Sequence, residues 1–417
     1  MAVDTKLKFE EVAANDKNPK WDLLKARLSD LYQRQDDVRS PFARDYTRIL
    51  HSMAYRRLKH KTQVFFNIDN DHICTRMEHV AHVESVSRTI ANTLGLNIEL
   101  TKAIAIGHDL GHAPFGHQGE TIIKALSKKH LGKDFWHEQN GLRFVDMVEL
   151  LADNYNNNKN LNLTYAVRDG IISHCGEVDE NGFGLKPRDE LIDLNDFSRP
   201  GQYSPATWEG CVVKISDKIA YIGRDIEDAI TLGFLNDKAQ NELRRFAQIN
   251  DEKAMNSTVI MHNLIIDICE HSSPDKGICL SDKFLNQLNT IKNYNYEHIY
   301  KNKRFETFKK YAELVLNQLF DTLYDQYDGP HTLSKLESIK KYYPSFVYSF
   351  ETWLARYCNF DIVTLPELQK IALMCENTKI YGMLDTKKIY AQAVIDYISG
   401  MTDRFAVKSF NELITYH

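Results

Sequence analysis

Histidines and carboxylates are concentrated in one stretch of the sequence, where they could bind a metal ion or transfer protons. Ten of the sixteen histidines lie between residues 51 and 137, and the densest run is HDLGHAPFGHQGE at 108–120. Its histidines and carboxylates alternate with glycines and a proline, which suit the wall of a cavity better than a continuous helix. The run therefore predicts a site that performs chemistry.

A zinc-protease helix is one alternative for the HDLGH sequence. That site needs two histidines four residues apart on a continuing helix, with a glutamate after the first. Here Asp109 follows His108, and Gly111 and Pro114 prevent the helix from continuing. A mixed set of imidazoles and carboxylates instead suits Mn²⁺, Fe²⁺, Mg²⁺ or Co²⁺, with open positions for water and a phosphate oxygen. Such an ion can make hydroxide available near neutral pH.

Two predicted helices place histidines on their inner faces. One begins near His79, whose apolar stripe continues through Ile90 and stops at Gly95. The next ends at His108 and Asp109, because apolar residues precede His108 at four-residue steps and a glycine and a proline follow it. Both histidines should therefore face the interior.

A third helix is predicted from about Trp208 to Leu232, with isoleucines and valines along one side. Its other face repeats Asp217, Tyr221 and Asp225 at four-residue steps. Residues four apart lie on the same face of a helix, so these three side chains should follow one line.

Composition favours a helical protein of the cytoplasm. Glycine (19) and proline (10) are scarce for 417 residues, which favours helices over a many-stranded β fold. The net charge of −5 leaves only a local patch, residues 56–61, as a nucleic-acid contact. Seven cysteines without a C-x-x-C pair imply neither a zinc knuckle nor a disulfide framework. No secretion signal is visible, and no stretch approaches the roughly eighteen apolar residues of a membrane span.

The expected organisation has three parts. An N-terminal helical extension (1–39) precedes a core (40–235), and a C-terminal helical region (236–417) serves packing and assembly. Within the core, the Asn-rich stretch 152–163 should be a loop or a small hairpin. The polar segment 176–207 contains glycine and proline and could form a loop over a site.

Several segments, in order, resemble the HD-domain deoxynucleoside triphosphate triphosphohydrolases, a family that includes bacterial dGTPase. They are FARDYTRILHSMAYRRLKHKTQVF (42–65), TRMEHVAHVESVSRTIANTLGLN (75–97), HDLGHAPFGHQGE (108–120), FWHEQNGLRFV (135–145), VVKISDKIAYIGRDIEDAI (212–230) and DYISGMTDRFA (396–406). The resemblance implies an all-α HD-domain fold with additional C-terminal helices and at most a small β-hairpin. It also implies tetramers or hexamers and the hydrolysis of a dNTP to a deoxynucleoside and tripolyphosphate.

The resemblance assigns a metal-binding and an acid-donating set. The four residues that would bind the divalent ion are His79, His108, Asp109 and Asp217. The acid pair would be His117 and Glu120, in which the glutamate orients the histidine to protonate the leaving 5′ oxygen. His112 and His137 are expected beside the phosphates.

The resemblance also assigns substrate contacts. Arg76 would hold a phosphate, since a guanidinium fork fits phosphate geometry, and Lys218 is a second phosphate candidate. Gln63 and Asp225 would bind the 3′-hydroxyl, and Tyr221 would lie beneath C2′.

Each assigned residue could instead have a purely structural role. A buried carboxylate or histidine can form a salt bridge, cap a helix or pack in the core, and the charged residues at 44–57 favour an ion-paired helix over a substrate contact.

A second enzymatic possibility is an HD phosphohydrolase of nucleoside monophosphates or cyclic nucleotides. The segments KTQVF and DKIAYIGRDIEDA argue against it. A third is an inactive nucleotide sensor or a nucleic-acid-binding relative, since some family members bind single strands. The intact His117 and Glu120 argue against inactivity.

Overall fold

Helices dominate the computed structural model, which describes residues 7–31, 37–66, 70–175, 184–246, 257–359 and 366–415. Within these ranges the only sheet is an antiparallel pair of strands, β1 (Leu150–Ala152) and β2 (Asn158–Asn160). The structure therefore confirms the all-α class with a small hairpin, which lies at the predicted Asn-rich stretch. No helix in the described ranges is long and apolar enough to cross a membrane.

The chain forms two compact units, each drawn from three separate segments. The first unit comprises residues 1–50, 63–109 and 162–306, and the second comprises residues 51–62, 110–161 and 307–417. The sequence analysis divided the chain into three continuous regions, with boundaries near residues 39 and 235. That division stays a prediction.

The first unit contains nine α-helices among its described residues. They are α1 (Trp21–Leu24), α2 (Pro41–His51, with its last residue in the second unit), α4 (Arg76–Leu94), α5 (Ile98–Gly107), α8 (Tyr165–Ser173), α9 (Trp208–Thr231), α10 (Asp237–Phe246), α11 (Ser257–His271) and α12 (Asp282–Asn295). A 3₁₀ turn (Leu194–Asp196) and a π-helical turn (Tyr296–Tyr300) complete it.

Helix α9 is the centre of the first unit. It packs against α4, α5, α8, α11 and α12, and its isoleucines Ile219, Ile222 and Ile226 are buried in the core. The Thr207 hydroxyl caps its start by accepting a hydrogen bond from the Gly210 amide. The helix predicted from about residue 208 to residue 232 is thus confirmed.

Local caps fix the helix that contains His79 and the helix that precedes His108. Thr75 and Glu78 form a capping box at the start of α4, and Gly95 ends that helix with a φ of 84°. The Asn97 side chain caps α5, whose last helical residue is Gly107. His108 therefore terminates α5 as predicted.

Part of the polar segment before α9 is tied to α8. Arg188 forms an ion pair with the buried Asp169 and donates a hydrogen bond to the Tyr165 hydroxyl at 2.8 Å. Residues 176–183 of the predicted loop lie outside the described residues.

The second unit holds the remaining helices. They are α3 (Met53–Arg57), α6 (Gly116–Leu131), α7 (His137–Arg143), α13 (Phe305–Tyr324, whose first two residues belong to the first unit), α14 (Thr332–Lys340), α15 (Pro344–Tyr357), α16 (Pro366–Leu373), α17 (Lys387–Ser399) and α18 (Asp403–Ile414). Short 3₁₀ turns (Leu58–His60, Gly329–His331) and a π-helical turn (Phe144–Val148) connect them. Phe346, Phe350 and Leu354 recur every four residues on α15 and are buried where it packs on its neighbours.

Three of the charged residues at 44–57 form ion pairs, as predicted for this segment: Arg44 with Asp37, Asp45 with Arg27, and Arg57 with Glu149. Asp45 is buried and accepts a hydrogen bond from Arg27 at 2.6 Å. Arg57 is paired with Glu149 in the second unit. These charges stabilise the structure around α2 and α3.

Candidate metal centre and acid cluster

Four side chains of the first unit converge where α4, α5 and α9 meet. His79 lies in the first turn of α4, His108 and Asp109 directly follow α5, and Asp217 lies near the middle of α9. Nε2 of His79 lies 3.0 Å from Oδ1 of Asp217 and 4.0 Å from Oδ2 of Asp109. Nε2 of His108 lies 3.6 Å from Oδ1 of Asp109 and 3.8 Å from Oδ1 of Asp217. The structure thus brings together the four residues that the sequence proposed as ligands.

The protonation of His108 suits a metal ligand. Its Nδ1 lies 2.6 Å from the carbonyl oxygen of Ala105, which can only accept, so Nδ1 bears the proton and Nε2 presents a lone pair. That Nε2 is buried and has no hydrogen-bond partner among the described residues. Two ligands about 2.1 Å from an ion lie about 3 Å apart at right angles and about 4 Å apart on opposite sides, and the separations here run from 3.0 to 4.0 Å. The residues therefore fit a divalent cation.

The charges of this cluster support one another. Burial alone would raise the pKa of Asp217, but the hydrogen bond from His79 and the attraction of the His79 and His108 imidazoles in their protonated form lower it below its usual range. Burial would lower the pKa of His79, yet Asp217 and Asp109 raise it. Asp217 is therefore ionised at neutral pH and offers a negative charge to a cation.

Arg76 lies beside the proposed ligand Asp109. It is buried, and one of its terminal nitrogens donates a hydrogen bond to Oδ2 of Asp109 at 2.8 Å. Its Nε and its other terminal nitrogen are buried without a hydrogen-bond partner among the described residues. A buried guanidinium with unused N–H donors is suited to bind a phosphate group.

The residues proposed for the sugar and phosphates differ in their surroundings. Asp225 is buried and accepts a hydrogen bond from the Tyr300 hydroxyl, and burial raises the pKa of Asp225 to about 7. Oε1 of Gln63 is buried without a hydrogen-bond partner in the described part of the chain. Tyr221 and Lys218 are half-buried on α9. Tyr300 was missed because the sequence after residue 236 shows no pattern that indicates chemistry.

His174 is a second residue that the sequence reasoning missed. Its Nδ1 lies 2.7 Å from the carbonyl oxygen of Ile171, so its Nε2 also presents a lone pair. The rings of His174 and His108 lie 5.0 Å apart, and ligand atoms of His108, His174 and Asp217 lie within 4.8 Å of one another. The sequence signal that could have identified it is its position, since it is a histidine between the pair His108–Asp109 and the distant Asp217.

The second unit contains the other proposed cluster. Glu120 on α6 accepts hydrogen bonds from the His137 amide at 3.0 Å and from Nδ1 of His137 at 3.1 Å. The rings of His112 and His137 lie 3.8 Å apart, and those of His112 and His117 lie 6.0 Å apart. His117 is exposed. The structure therefore brings together all four residues.

Glu120 has a hydrogen-bond partner, His137, that the sequence did not predict. Glu120 was expected to orient His117, whereas the hydrogen bonds given above join it to His137. A ligand atom of Glu120 also lies within 4.8 Å of one on His117. Burial would raise the pKa of Glu120, but His137, followed by His112 and His117, lowers it below its usual range. An ionised Glu120 can therefore stabilise a protonated histidine beside it.

Glycines allow the tight path of the run that leads from α5 into the first turn of α6. A Cβ atom on Gly111 would lie 2.0 Å from the carbonyl oxygen of His137, and one on Gly119 would lie 1.7 Å from that of Pro114. Phe115 adopts a φ of 66°, a left-handed conformation that costs a bulky residue on the order of 1–3 kcal/mol. The neighbours of this loop must therefore stabilise it.

Comparison with known proteins supplies the family. The profile of the HD domain matches residues 76–222, and that of the phosphohydrolase-associated domain matches residues 377–412. A deoxyguanosinetriphosphate triphosphohydrolase-like protein of Caldanaerobacter subterraneus subsp. tengcongensis is 33% identical over 377 residues, which cover 90% of this chain and 86% of the relative. Proteins of the same name from Desulfatibacillum aliphaticivorans and Rickettsia canadensis are 32% identical over 380 residues (90% and 88% covered) and 30% identical over 411 residues (94% and 98% covered). The chain is therefore an HD-domain phosphohydrolase that belongs to the family of deoxyguanosinetriphosphate triphosphohydrolase-like proteins.

Proposed function

We propose that this chain hydrolyses deoxynucleoside triphosphates to a deoxynucleoside and inorganic tripolyphosphate, with Mn²⁺, Mg²⁺, Fe²⁺ or Co²⁺ held by His79, His108, Asp109 and Asp217. The observation that most supports a phosphate substrate is Arg76, which gives one arm to Asp109 and keeps two buried nitrogens for another anion. The names of the relatives support a nucleotide as that substrate.

The proposed residues divide the work of the reaction. The bound cation would polarise the α-phosphoryl group and help to ionise water. Arg76 and Lys218 would hold the phosphate oxygens, so that water adds to the α-phosphorus while the bond to O5′ breaks. His117, or His137 held by Glu120, would give its proton to the leaving O5′. His112 would support these two rings.

A direct assay tests the proposed reaction. Purified protein would be incubated with each dNTP and Mn²⁺, and tripolyphosphate would be resolved from pyrophosphate and phosphate. Release of tripolyphosphate and a deoxynucleoside supports the proposal. Hydrolysis of nucleoside monophosphates or cyclic nucleotides alone would instead support the second enzymatic possibility. Metal-loaded protein that binds a dNTP without any turnover would support the inactive relative.

Deoxyribose selectivity is the first specific prediction. We place Tyr221 beneath C2′, with Gln63 and Asp225 at the 3′-hydroxyl. A ring against C2′ would exclude a ribose hydroxyl or leave it without a hydrogen bond, which typically costs about 1–3 kcal/mol. At roughly tenfold per 1.4 kcal/mol, turnover of a dNTP should exceed that of the matching rNTP by about tenfold or more.

Two substitutions of Tyr221 separate the ring from its hydroxyl. Tyr221→Ala should reduce the selectivity while it leaves the bound metal in place, whereas Tyr221→Phe keeps the ring and should retain the preference. The measurement is kcat/KM for each dNTP and its rNTP. Equal values in the wild type would exclude this arrangement.

Metal affinity provides a second prediction, for His174. We expect His174→Ala to weaken Mn²⁺ binding by about 10- to 100-fold, the usual effect of losing a residue that supports a metal site. His82→Ala, which changes a half-buried histidine on α4, is the matched control and should bind Mn²⁺ normally. Affinity would be measured by competition with a chelator. Equal affinity in His174→Ala and the wild type would remove His174 from the site.

Assembly and location are part of the same proposal. We propose homo-oligomers of four or six subunits in the cytoplasm, following the family resemblance.

Single-stranded nucleic acid is a second candidate ligand, and fewer observations support it than support a dNTP. In the basic run 56–61, Arg57 is paired with Glu149 and Lys61 is buried, so only three side chains are exposed. That number is small for a surface that binds a phosphate backbone.

A further inference from the structure

The loop that bears His112 and His117 is held by residues distant in the sequence. The buried Lys61 donates a hydrogen bond to the carbonyl oxygen of His112. Oδ1 of Asp403 accepts a hydrogen bond from the amide of Phe115 at 2.8 Å. Both contacts lie within the second unit, and both are made to the backbone of the loop.

Asp403 uses both of its carboxylate oxygens on backbone donors. It is the first residue of α18 and is 6% exposed, and its Oδ2 accepts a hydrogen bond from the amide of Thr62 at 2.9 Å. Burial raises the pKa of Asp403, while the amides of Phe115 and Thr62 and the charge of Lys61 oppose that rise. The start of α18 also favours a negative charge at this position.

Phe115 needs such a partner because its conformation is unfavourable. With φ 66° and ψ 24°, it is the residue before α6 and has no side-chain cap there. Bulky residues rarely adopt this left-handed conformation. Gly116 and His117 follow at once, so the backbone of Phe115 sets the direction in which α6 begins and the position of His117.

We infer that Asp403 is a positioning residue for the proton-donating loop, because its bond to the Phe115 amide holds Phe115 in the left-handed conformation that places His117. This inference rests on the proposed phosphohydrolase function. It also explains why a segment near the C-terminus contacts the histidine-rich run, although the two are far apart in the sequence. The match to the phosphohydrolase-associated domain (377–412) contains Asp403, and the histidine-rich run contains Phe115.

Asp403→Asn tests the inference, since the amide keeps the size of the side chain but can accept only one of the two bonds. We expect backbone hydrogen exchange in the peptide spanning 110–117 to rise by about tenfold or more, because 1.4 kcal/mol corresponds to a tenfold change. We expect kcat to fall by about 10- to 100-fold, since small displacements of catalytic groups cost that much. KM and Mn²⁺ content should not change.

A matched control is Glu351→Gln, which alters another fully buried carboxylate of the second unit, paired with Lys340 at 2.9 Å. It should lower the melting temperature without changing loop exchange or kcat. If Asp403→Asn and Glu351→Gln had the same effects on all of these measurements, Asp403 would be a general structural residue and the inference would be overturned.

The double variant Phe115→Gly/Asp403→Asn provides a rescue. Glycine adopts a positive φ without strain, so the loop should need Asp403 less and kcat should recover relative to Asp403→Asn. A double variant with the summed losses of both single variants would overturn the inference, as would unchanged loop exchange in Asp403→Asn. A wild type inactive on every dNTP would refute the proposed function, while the exchange measurement would still decide whether Asp403 holds the loop.

Discussion

Replacement of Asp217 by alanine should remove both the bound metal and the turnover. Its Oδ1 lies within 3.0 Å of Nε2 of His79 and within 3.8 Å of Nε2 of His108, so it faces both imidazoles of the proposed site. The other carboxylate, Asp109, already shares its charge with Arg76 at 2.8 Å. Asp217 is therefore the carboxylate of the set whose charge is not shared with Arg76. Its loss should cost more than the roughly 10- to 100-fold in affinity expected for a supporting residue.

Metal content after gel filtration, together with a titration by chelator competition, would measure this effect. A second measurement is independent of activity, because a bound ion stabilises the folded protein by mass action. Added Mn²⁺ should raise the melting temperature of the wild type and leave that of Asp217→Ala unchanged.

The control for this experiment is Asp225→Ala, which removes a buried carboxylate two turns further along α9. We expect it to keep the metal and to lose turnover only through the substrate. If Asp217→Ala stayed fully loaded with metal, the assignment of the four ligands would be wrong.

The helices of the metal centre could be predicted because local sequence determines them. A capping pair at Thr75 and Glu78 and a glycine at 95 fix the ends of α4, and four-residue spacing identifies the inner face of α9. The positions of His79 and Asp217 on their helices could therefore be predicted locally, whereas their role as ligands came from the family resemblance.

Other features depend on contacts between residues that are far apart in the chain. His137 is seventeen residues from Glu120, and Asp403 is 288 residues from Phe115. No periodicity or local motif relates such residues, so their pairing follows only from the packing of the second unit. The assembly of each unit from three separate segments is unpredictable for the same reason.

Loss of the acid should have the second large effect. We expect His117→Ala to lower kcat by about 10²- to 10⁴-fold, the range of general acid catalysis, while metal content and substrate binding stay nearly normal. Glu120→Gln should cause part of this loss. The ionised Glu120 stabilises a protonated histidine, so its removal should lower the pKa of the acid. Because the acid must be protonated, the alkaline limb of the kcat profile should then move to lower pH.

The leaving group distinguishes loss of the acid from general damage to the site. A deoxynucleoside leaves as a strongly basic alkoxide unless it receives a proton, whereas p-nitrophenolate leaves without one. The deficit of His117→Ala should therefore be much smaller with a p-nitrophenyl ester of a deoxynucleotide than with a dNTP. His137→Ala, measured in parallel, decides between the two rings of the cluster, since only the donor should show this dependence on the leaving group. An equal deficit of His117→Ala on both substrates would exclude it as the acid, and unchanged turnover would transfer the role to His112 or His137.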